Sequence, residues 1–365
     1  MTAVRLKIHA SSRRIPLLSL YPLAKSARNP IALPSTLHAL PNRRSFSSDA
    51  TDESTPIRTQ VSKGLAYHMI GPPLRPNPLP TPTFLVPDPY GYVDFSRHLA
   101  HRPLYSRLAK DRTVISFDPP GAGSSTRKPM VSMDEMLSAI KETISLVGIT
   151  QPIDFIGHSQ GAIVALAMAL QRPDMVRRLV LVSGASGFPA MSHAEGAIWN
   201  STHPLHGEFL RRMALFYVFR RRGFESAVIK TINWSRWEGA EKPGYGAPPD
   251  HKWFKDHLGR PVTLRKFFGK VRPRTLWFAR VLSQLDYSAR LTDVHVPTLA
   301  VCGRLDTQCP PPCTVELVDG IPHAEGYIFE QSGHYPMVEE EEEFWKVVDG
   351  FLLAEHVDAE VAFGD

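Results

Sequence analysis

Short apolar, β-rich runs alternate with amphipathic helical patterns through most of this 365-residue chain, which predicts an α/β protein: a parallel sheet covered by helices on both faces. Two further observations sharpen that expectation. At "PIDFIGHSQGAIVALAMAL" (152–170) a strand-like run passes into a long Ala/Leu/Ile helix through a turn with glycines flanking one serine. One long segment, 190–296, breaks the alternation with helical patterns and no clear strand series.

The first 48 residues stand apart. They hold eight basic side chains (Arg5, Lys7, Arg13, Arg14, Lys25, Arg28, Arg43, Arg44) and no Asp or Glu. An Arg- and Ser-rich, acid-free, moderately amphipathic leader has the composition of a mitochondrial transit peptide. "RSFSS" (44–48) resembles a matrix-processing site, so a disordered leader is expected over 1–46 and a mitochondrial location for the protein. Two alternatives stay open. A secretory signal could be built on "IPLLSLYPLA" (15–24), although its two prolines and the basic residues beyond it argue against that; an unprocessed tail is the other. Subtracting the leader's eight charges from the formal +6 leaves about −2, so the body is near neutral. No general nucleic-acid surface is implied.

The core begins near residue 60. "LAYHMIG" (65–71) and "TFLVP" (83–87) read as strands, "YVDFSRHLAHRPLYSRL" (92–108) as a helix, and "TVISFD" (113–118) as the next strand. "MDEMLSAIKETISLVG" (133–148) has apolar residues at helical spacing and acids in its first turn. "IDFIG" (153–157) leads into the Ala/Leu helix, and "RRLVLVSG" (177–184), "PTLAVCG" (297–303) and "AEGYIFE" (324–330) supply further strands. "EEEEEFWKVVDGFLLA" (339–354) closes the fold as a helix, its glutamates at the positive N-terminus. The expected division is therefore core over 60–189, an inserted helical cap over 190–296, and core again over 297–357.

The cap segment carries five of the six tryptophans (Trp199, Trp234, Trp237, Trp253, Trp277) and 18 basic against 9 acidic residues, a net of about +9. The rest of the body is then near −11. Such a segment is either a helical layer with solvated basic faces or a lid that binds an acidic or carbonyl-bearing small molecule. No run of 18 apolar residues exists, so no transmembrane helix is expected. Cys302, Cys309 and Cys313 are too few for a disulfide framework and lack the fourth ligand of a closed zinc site. Cys309 and Cys313 flank a Pro-Pro-Pro run and read as reduced loop thiols.

The turn Gly157-His158-Ser159-Gln160-Gly161 has the form G-x-S-x-G, a weak signal alone. Its serine could simply cap the helix, or a strained strand-to-helix turn could hold Ser159 clear of the backbone as a nucleophile. A nucleophile needs a base to take its proton and a carboxylate to orient that base. Both candidates lie just past strand ends: Asp306 after "TLAVCG" and His334 after "YIFE". His158 is expected to pack beside the turn, His323 merely precedes the last strand, and Asp118 in "FDPPGAGSS" reads as part of a structural turn.

With these residues in place, "IGHSQGAIVALAMALQRPDMVRRLVLVSG", "VISFDPPGAGSST", "VCGRLDTQCP" and "SGHYPMVEEEEEFWKVVDGFL" resemble the α/β-hydrolase superfamily, in its esterase and prolyl-iminopeptidase-like branch. The resemblance covers residues 60–190 and 295–355, and the order Ser, Asp, His is that of the superfamily. It implies an α/β-hydrolase fold: a mostly parallel eight-stranded sheet flanked by helices, a helical cap after strand six, no metal and no organic cofactor. It also implies Ser159 as nucleophile, Gln160 as donor of one oxyanion N–H, and Asp306 and His334 as the rest of a triad. The activity implied is cleavage of an acyl substrate (an ester, thioester or lactone) through an acyl-enzyme.

One departure stands out. Pro87-Asp88-Pro89 lies where the family carries His-Gly-X, and proline has no backbone N–H to donate. The second oxyanion donor is therefore expected from Tyr90 or Gly91, by a shifted backbone or by the phenol. A proline-releasing aminopeptidase remains an alternative, which the basic cap argues against. So does a cofactor-free lyase or cyclase using the His–Asp pair; a catalytically silent binding protein is opposed by the complete triad. Oligomeric state and substrate identity are not legible.

Overall fold

The structure is a computed structural model and describes residues 5–6, 57–74, 80–86, 106–204, 206–207 and 277–354. Its strands are β1 (Arg5–Leu6), β2 (Arg58–Ser62), β3 (Leu65–Ile70), β4 (Thr83–Val86), β5 (Val114–Asp118), β6 (Ile153–His158), β7 (Val176–Val182), β8 (Thr298–Gly303) and β9 (Ala324–Phe329). They form one sheet in the order β1-β9-β8-β7-β6-β4-β5-β3-β2. From β5 through β4, β6, β7 and β8 to β9 every pairing is parallel. β2 and β3 join antiparallel at one edge.

Strands β2 to β9 are the eight-stranded sheet that the sequence leads one to expect. The ninth, β1, comes from within the expected leader and pairs antiparallel with β9, Arg5 opposite Tyr327 and Leu6 opposite Gly326. The remainder of 1–46 lies outside the described residues. β2 escapes a reading based on apolar runs because Arg58, Thr59, Gln60 and Val61 are all exposed on an edge strand.

Alternate residues of the central strands serve two separate cores, as a strand covered on both faces requires. Phe84, Val86, Phe155, Leu179 and Leu181 face one layer, where the helices α1 (Met133–Val147), α2 (Gln160–Gln171) and α4 (Pro311–Gly320) pack. Leu85, Ile156, Val180, Val182, Leu299 and Val301 face the other, covered by Phe344, Trp345, Val348 and Leu352 of α6 (Glu341–Leu353). Helix α1 begins on Ser132, whose hydroxyl accepts the Glu135 N–H at 3.2 Å, while the Glu135 carboxylate accepts the Val131 N–H at 2.7 Å. It ends at Gly148, whose φ of 82° suits the left-handed turn there. Of the helix expected over 92–108, only its end is described, and Ser106 to Leu108 are helical.

Two expectations are corrected. Cys313 is not a loop thiol: α4 starts directly at Pro311 and includes it, while Cys309 does lie in the loop before the helix, and all three cysteines are free and buried. Proline at a first helical position costs nothing, because that N–H has no intrahelical acceptor anyway, so the Pro-Pro-Pro run opens a helix. The core also resumes before residue 297. Trp277, Val281, Leu282, Leu291 and Val294, expected in the cap, are buried in the same apolar cluster as the sheet. At its near end the expected cap segment begins within α3 (Phe188–His193). Its middle, with Trp234, Trp237 and Trp253, lies outside the described residues. No described helix is long and apolar enough to cross a membrane.

Candidate active site

Parallel strands β4, β6, β7, β8 and β9 all point their C-terminal ends to one rim, and the candidate residues gather there. Ser159 follows β6 directly and has φ 57° and ψ −123°, a conformation that side chains other than glycine rarely adopt. Such strain costs about 1–3 kcal/mol and persists only where the surroundings enforce it. Here they do. The Ser159 N–H donates to the Val182 carbonyl at 2.9 Å, and its own carbonyl accepts the Ala162 N–H at 2.9 Å. The turn is so tight that a Cβ on Gly157 would lie 2.3 Å from the Gly161 carbonyl oxygen and 2.7 Å from Ala162 Cα. Glycine is the residue that fits. The serine does not cap α2 with its side chain; its hydroxyl is turned elsewhere.

It is turned to His334. Ser159 Oγ lies 3.0 Å from His334 Nε2, and His334 Nδ1 lies 2.8 Å from Asp306 Oδ2. An ionised carboxylate only accepts, so this set of partners puts the imidazole proton on Nδ1 and leaves the Nε2 lone pair facing the hydroxyl. The other Asp306 oxygen, Oδ1, accepts the N–H groups of Gln308 at 2.8 Å and Cys309 at 3.0 Å. Asp306 and His334 are only 2% and 3% exposed, so their interaction is shielded from water. The chain thus brings together three residues that it separates by 28 and 175 positions.

Gln160 opens α2, where the first amides have no intrahelical acceptor and lie at the positive end of the helix dipole. Its backbone N–H follows Ser159 directly in the chain, at the first position of the helix. Tyr90 and Gly91, with Pro87 to Pro89, lie outside the described residues. β4 does end beside the turn, Val86 pairing with Gly157.

The neighbours are structural, and some were not foreseen. His158 Nε2 donates to the His334 carbonyl at 2.7 Å, and its ring lies 4.8 Å from that of His334 and 5.1 Å from that of Tyr335. Asp118 ends β5 and is buried in a structural role, as expected: its Oδ2 accepts the Ser124 N–H of the following turn at 2.7 Å and its Oδ1 faces His68 Nε2 at 3.2 Å. Burial pushes the Cys302 thiol up to about 12, and burial with the nearby Asp306 charge raises Cys309 and Cys313 as well. These are protonated core thiols, not rival nucleophiles. Sequence reasoning missed Ser332, Glu339 and Glu340, which surround the His334 loop. The glutamates lay inside a run that looked like an ordinary helix start.

Strands that deliver an acid and then a histidine to a serine turn, on a parallel sheet wrapped by helices, are those of a hydrolase scaffold. The chain belongs to the α/β-hydrolase fold family, whose model matches residues 89–341. Among known proteins it is similar to a 2-hydroxymuconate semialdehyde hydrolase of Pseudomonas sp. (strain CF600), 27% identical over 253 residues that cover 69% of this chain and 80% of that protein. It is similar also to 2-hydroxy-6-oxononadienedioate/2-hydroxy-6-oxononatrienedioate hydrolase 2 of Pseudomonas putida, 26% identical over 275 residues, 73% of this chain and 84% of that one. Among solved structures, an α/β-fold family hydrolase from Bacillus anthracis str. Sterne superposes with a TM-score of 0.61 over 81% of this chain and 99% of that one. At 18% identity that likeness shows the fold alone.

Proposed function

We propose that the protein is a serine hydrolase that cleaves an ester, thioester or lactone through an acyl-enzyme on Ser159. The observation that supports this most is the unbroken chain from Ser159 Oγ to His334 Nε2 at 3.0 Å and from His334 Nδ1 to Asp306 Oδ2 at 2.8 Å. His334 takes the Ser159 proton as the oxygen attacks the substrate carbonyl, then returns it to the leaving group; water repeats the sequence to release the acid. Asp306 holds the imidazole in the required tautomer and stabilises its cation. The tetrahedral oxyanion accepts from the Gln160 N–H and from a second donor supplied by Tyr90 or Gly91.

The substrate proposed is a small acidic acyl compound. A net of about +9 over residues 190–296 supports that, and so does the dicarboxylate in the name of one relative's substrate. The same relatives favour a second reading within the class, in which the carbonyl attacked belongs to an unsaturated hydroxy-oxo acid. A free amino-terminal substrate, as an aminopeptidase takes, suits the basic segment less. The leader's composition supports import into mitochondria, which a fluorescent fusion of residues 1–50 tests: diffuse cytosolic signal rejects it.

The deciding experiment is labelling of Ser159 by an alkyl fluorophosphonate with His334 intact and with His334→Ala, alongside a panel of neutral esters, acidic esters, aminoacyl amides and hydroxy-oxo dicarboxylates. Labelling that depends on His334 supports the serine hydrolase. No labelling and no hydrolysis would turn the reading to the lyase or cyclase alternative.

A further inference from the structure

The loop that carries His334 is held on two sides, and neither is explained by folding of the loop itself. On one side it is laced to the loop carrying Asp306. The Arg304 N–H donates to the Phe329 carbonyl at 2.8 Å and the Leu305 N–H to the Ser332 carbonyl at 2.9 Å. A Cβ on Gly303 would lie 2.1 Å from that same Ser332 oxygen, so the two loops touch through backbone.

On the other side stand two carboxylates. Glu340 Oε2 accepts the Gln331 N–H at 2.9 Å and the Ser332 hydroxyl at 2.5 Å. Glu339 Oε2 accepts the Gly333 N–H. Three consecutive residues immediately before His334 thus each give a donor to an acid. Ser332 is fully buried, and it joins the acid loop through its carbonyl and Glu340 through its hydroxyl. Glu339 and Glu340 are themselves fixed, because they bridge α5 (Pro336–Glu339) and the start of α6, their N–H groups donating to Tyr335 and Pro336 at 3.0 Å.

A helix start needs no such arrangement. Glu341 and Glu342 in the first turn of α6 are exposed and suffice for the dipole. Hydrogen bonds to a charged acceptor are the stronger kind, and three in a row on one loop restrict it far more than one.

We propose that Glu339 and Glu340 are positioning residues, holding loop 331–333 so that His334 stays in line between Asp306 and Ser159. The inference rests on the serine-hydrolase reading above for its purpose, but not for its geometry. Catalysis by proximity depends steeply on such alignment.

The test uses the full chain and follows three quantities together: fluorophosphonate labelling of Ser159, kcat and KM on an ester, and hydrogen–deuterium exchange of a peptide spanning 330–335. Glu340→Ala should slow labelling and kcat about tenfold with KM changed less than about twofold, and exchange should quicken in that peptide alone. Glu340→Gln, whose amide oxygen can still accept, should restore most of the rate. Ser332→Ala combined with Glu340→Ala should cost little beyond Glu340→Ala alone, since the bond that Ser332→Ala removes is already lost with Glu340. Glu342→Gln should match the wild type. Unchanged labelling and exchange in Glu340→Ala overturn the proposal, as does a rise in KM equal to the fall in kcat. Should Glu340→Ala not fold, Glu340→Gln and Ser332→Ala carry the same comparison. A wild type that takes no label overturns the hydrolase reading and the catalytic purpose of the clamp with it, whereas a labelled wild type with an indifferent Glu340 overturns the clamp alone.

Discussion

Strand β6 is polar at both ends, and the two ends are built to opposite purposes. At its start Asp154, fully buried, accepts from Arg177 Nε at 2.7 Å and Nη2 at 2.6 Å, with Arg112 Nη1 3.7 Å away. Arg178 beside them donates to the Leu352 carbonyl at 2.6 Å and to that of Ala354, where α6 ends in partial negative charge. Desolvation pushes the Asp154 carboxyl up against the pull of Arg177. The charges of Asp154, Arg177 and Arg178 are all directed to other parts of the protein. At the far end, five residues on, the backbone is strained instead, and the Ser159 hydroxyl is turned to His334 beside the first turn of α2. A buried charge stabilises only where it is paired; on the proposed reading, the far end must keep its hydroxyl available to a substrate.

The comparison breaks if the reactive end proves dispensable for chemistry. Ser159→Ala should lower kcat by about 10⁴-fold or more, His334→Ala nearly as much, and the pair little more than either, since such residues act as a unit. Melting temperature should barely move. A Ser159→Ala protein that retains most of its esterase activity rules out the acyl-enzyme.

The opposite pattern is expected at the closed end. Asp154→Ala leaves the Arg177 and Arg112 guanidinium groups without their shared partner and should destabilise the fold by about 3–5 kcal/mol, read from urea unfolding. The kcat of the folded fraction should stay within about twofold, because the change is a full strand away from Ser159. A large kcat loss without a stability loss would show that the two ends are not independent.

Gly157→Ala probes the boundary between them. The added methyl group must move the Gly161 carbonyl, and with it the start of α2. A misplacement of this kind costs about 10²-fold in rate, and overpacking about 1–3 kcal/mol in stability. Both should appear together, measured by labelling rate and thermal unfolding on one sample.

The smallest effect belongs to the partly exposed pair Arg127–Glu142, bonded at 2.6 and 2.7 Å. Arg127→Gln should cost less than about 1 kcal/mol. The hydrogen bond from Arg127 holds the Glu142 carboxyl below its ordinary value. A carboxyl lowered by folding adds stability that is present above its unfolded pKa and lost as pH falls through its folded one. Stability of the wild type should therefore fall more than that of Arg127→Gln over that acid range; parallel curves would deny the pair any role.

Much of this was legible from residues in a row. The apolar run of Leu179 to Val182 announced a strand, and the helical spacing over 133–148, with Asp134 and Glu135 in its first turn, announced a helix. Gly157 around Ser159 announced the turn. What misled was local too: Pro311 and Pro312 look like a break until the helix they open is seen. An exposed edge strand such as β2 has no apolar signature to find.

By itself, then, the sequence determined the α/β alternation, the serine turn and the chain order of Ser159, Asp306 and His334, because each depends on periodicity or backbone sterics within a few residues. Only the tertiary structure decided that Asp306 and His334 meet Ser159, that Trp277 belongs to the core and that Arg112 faces Asp154. It alone divided a run of five glutamates into two that hold the His334 loop and three that begin a helix. Those choices follow from which strand ends lie side by side in the sheet. A hydrogen bond between residues 175 positions apart leaves no periodic trace in the chain that forms it.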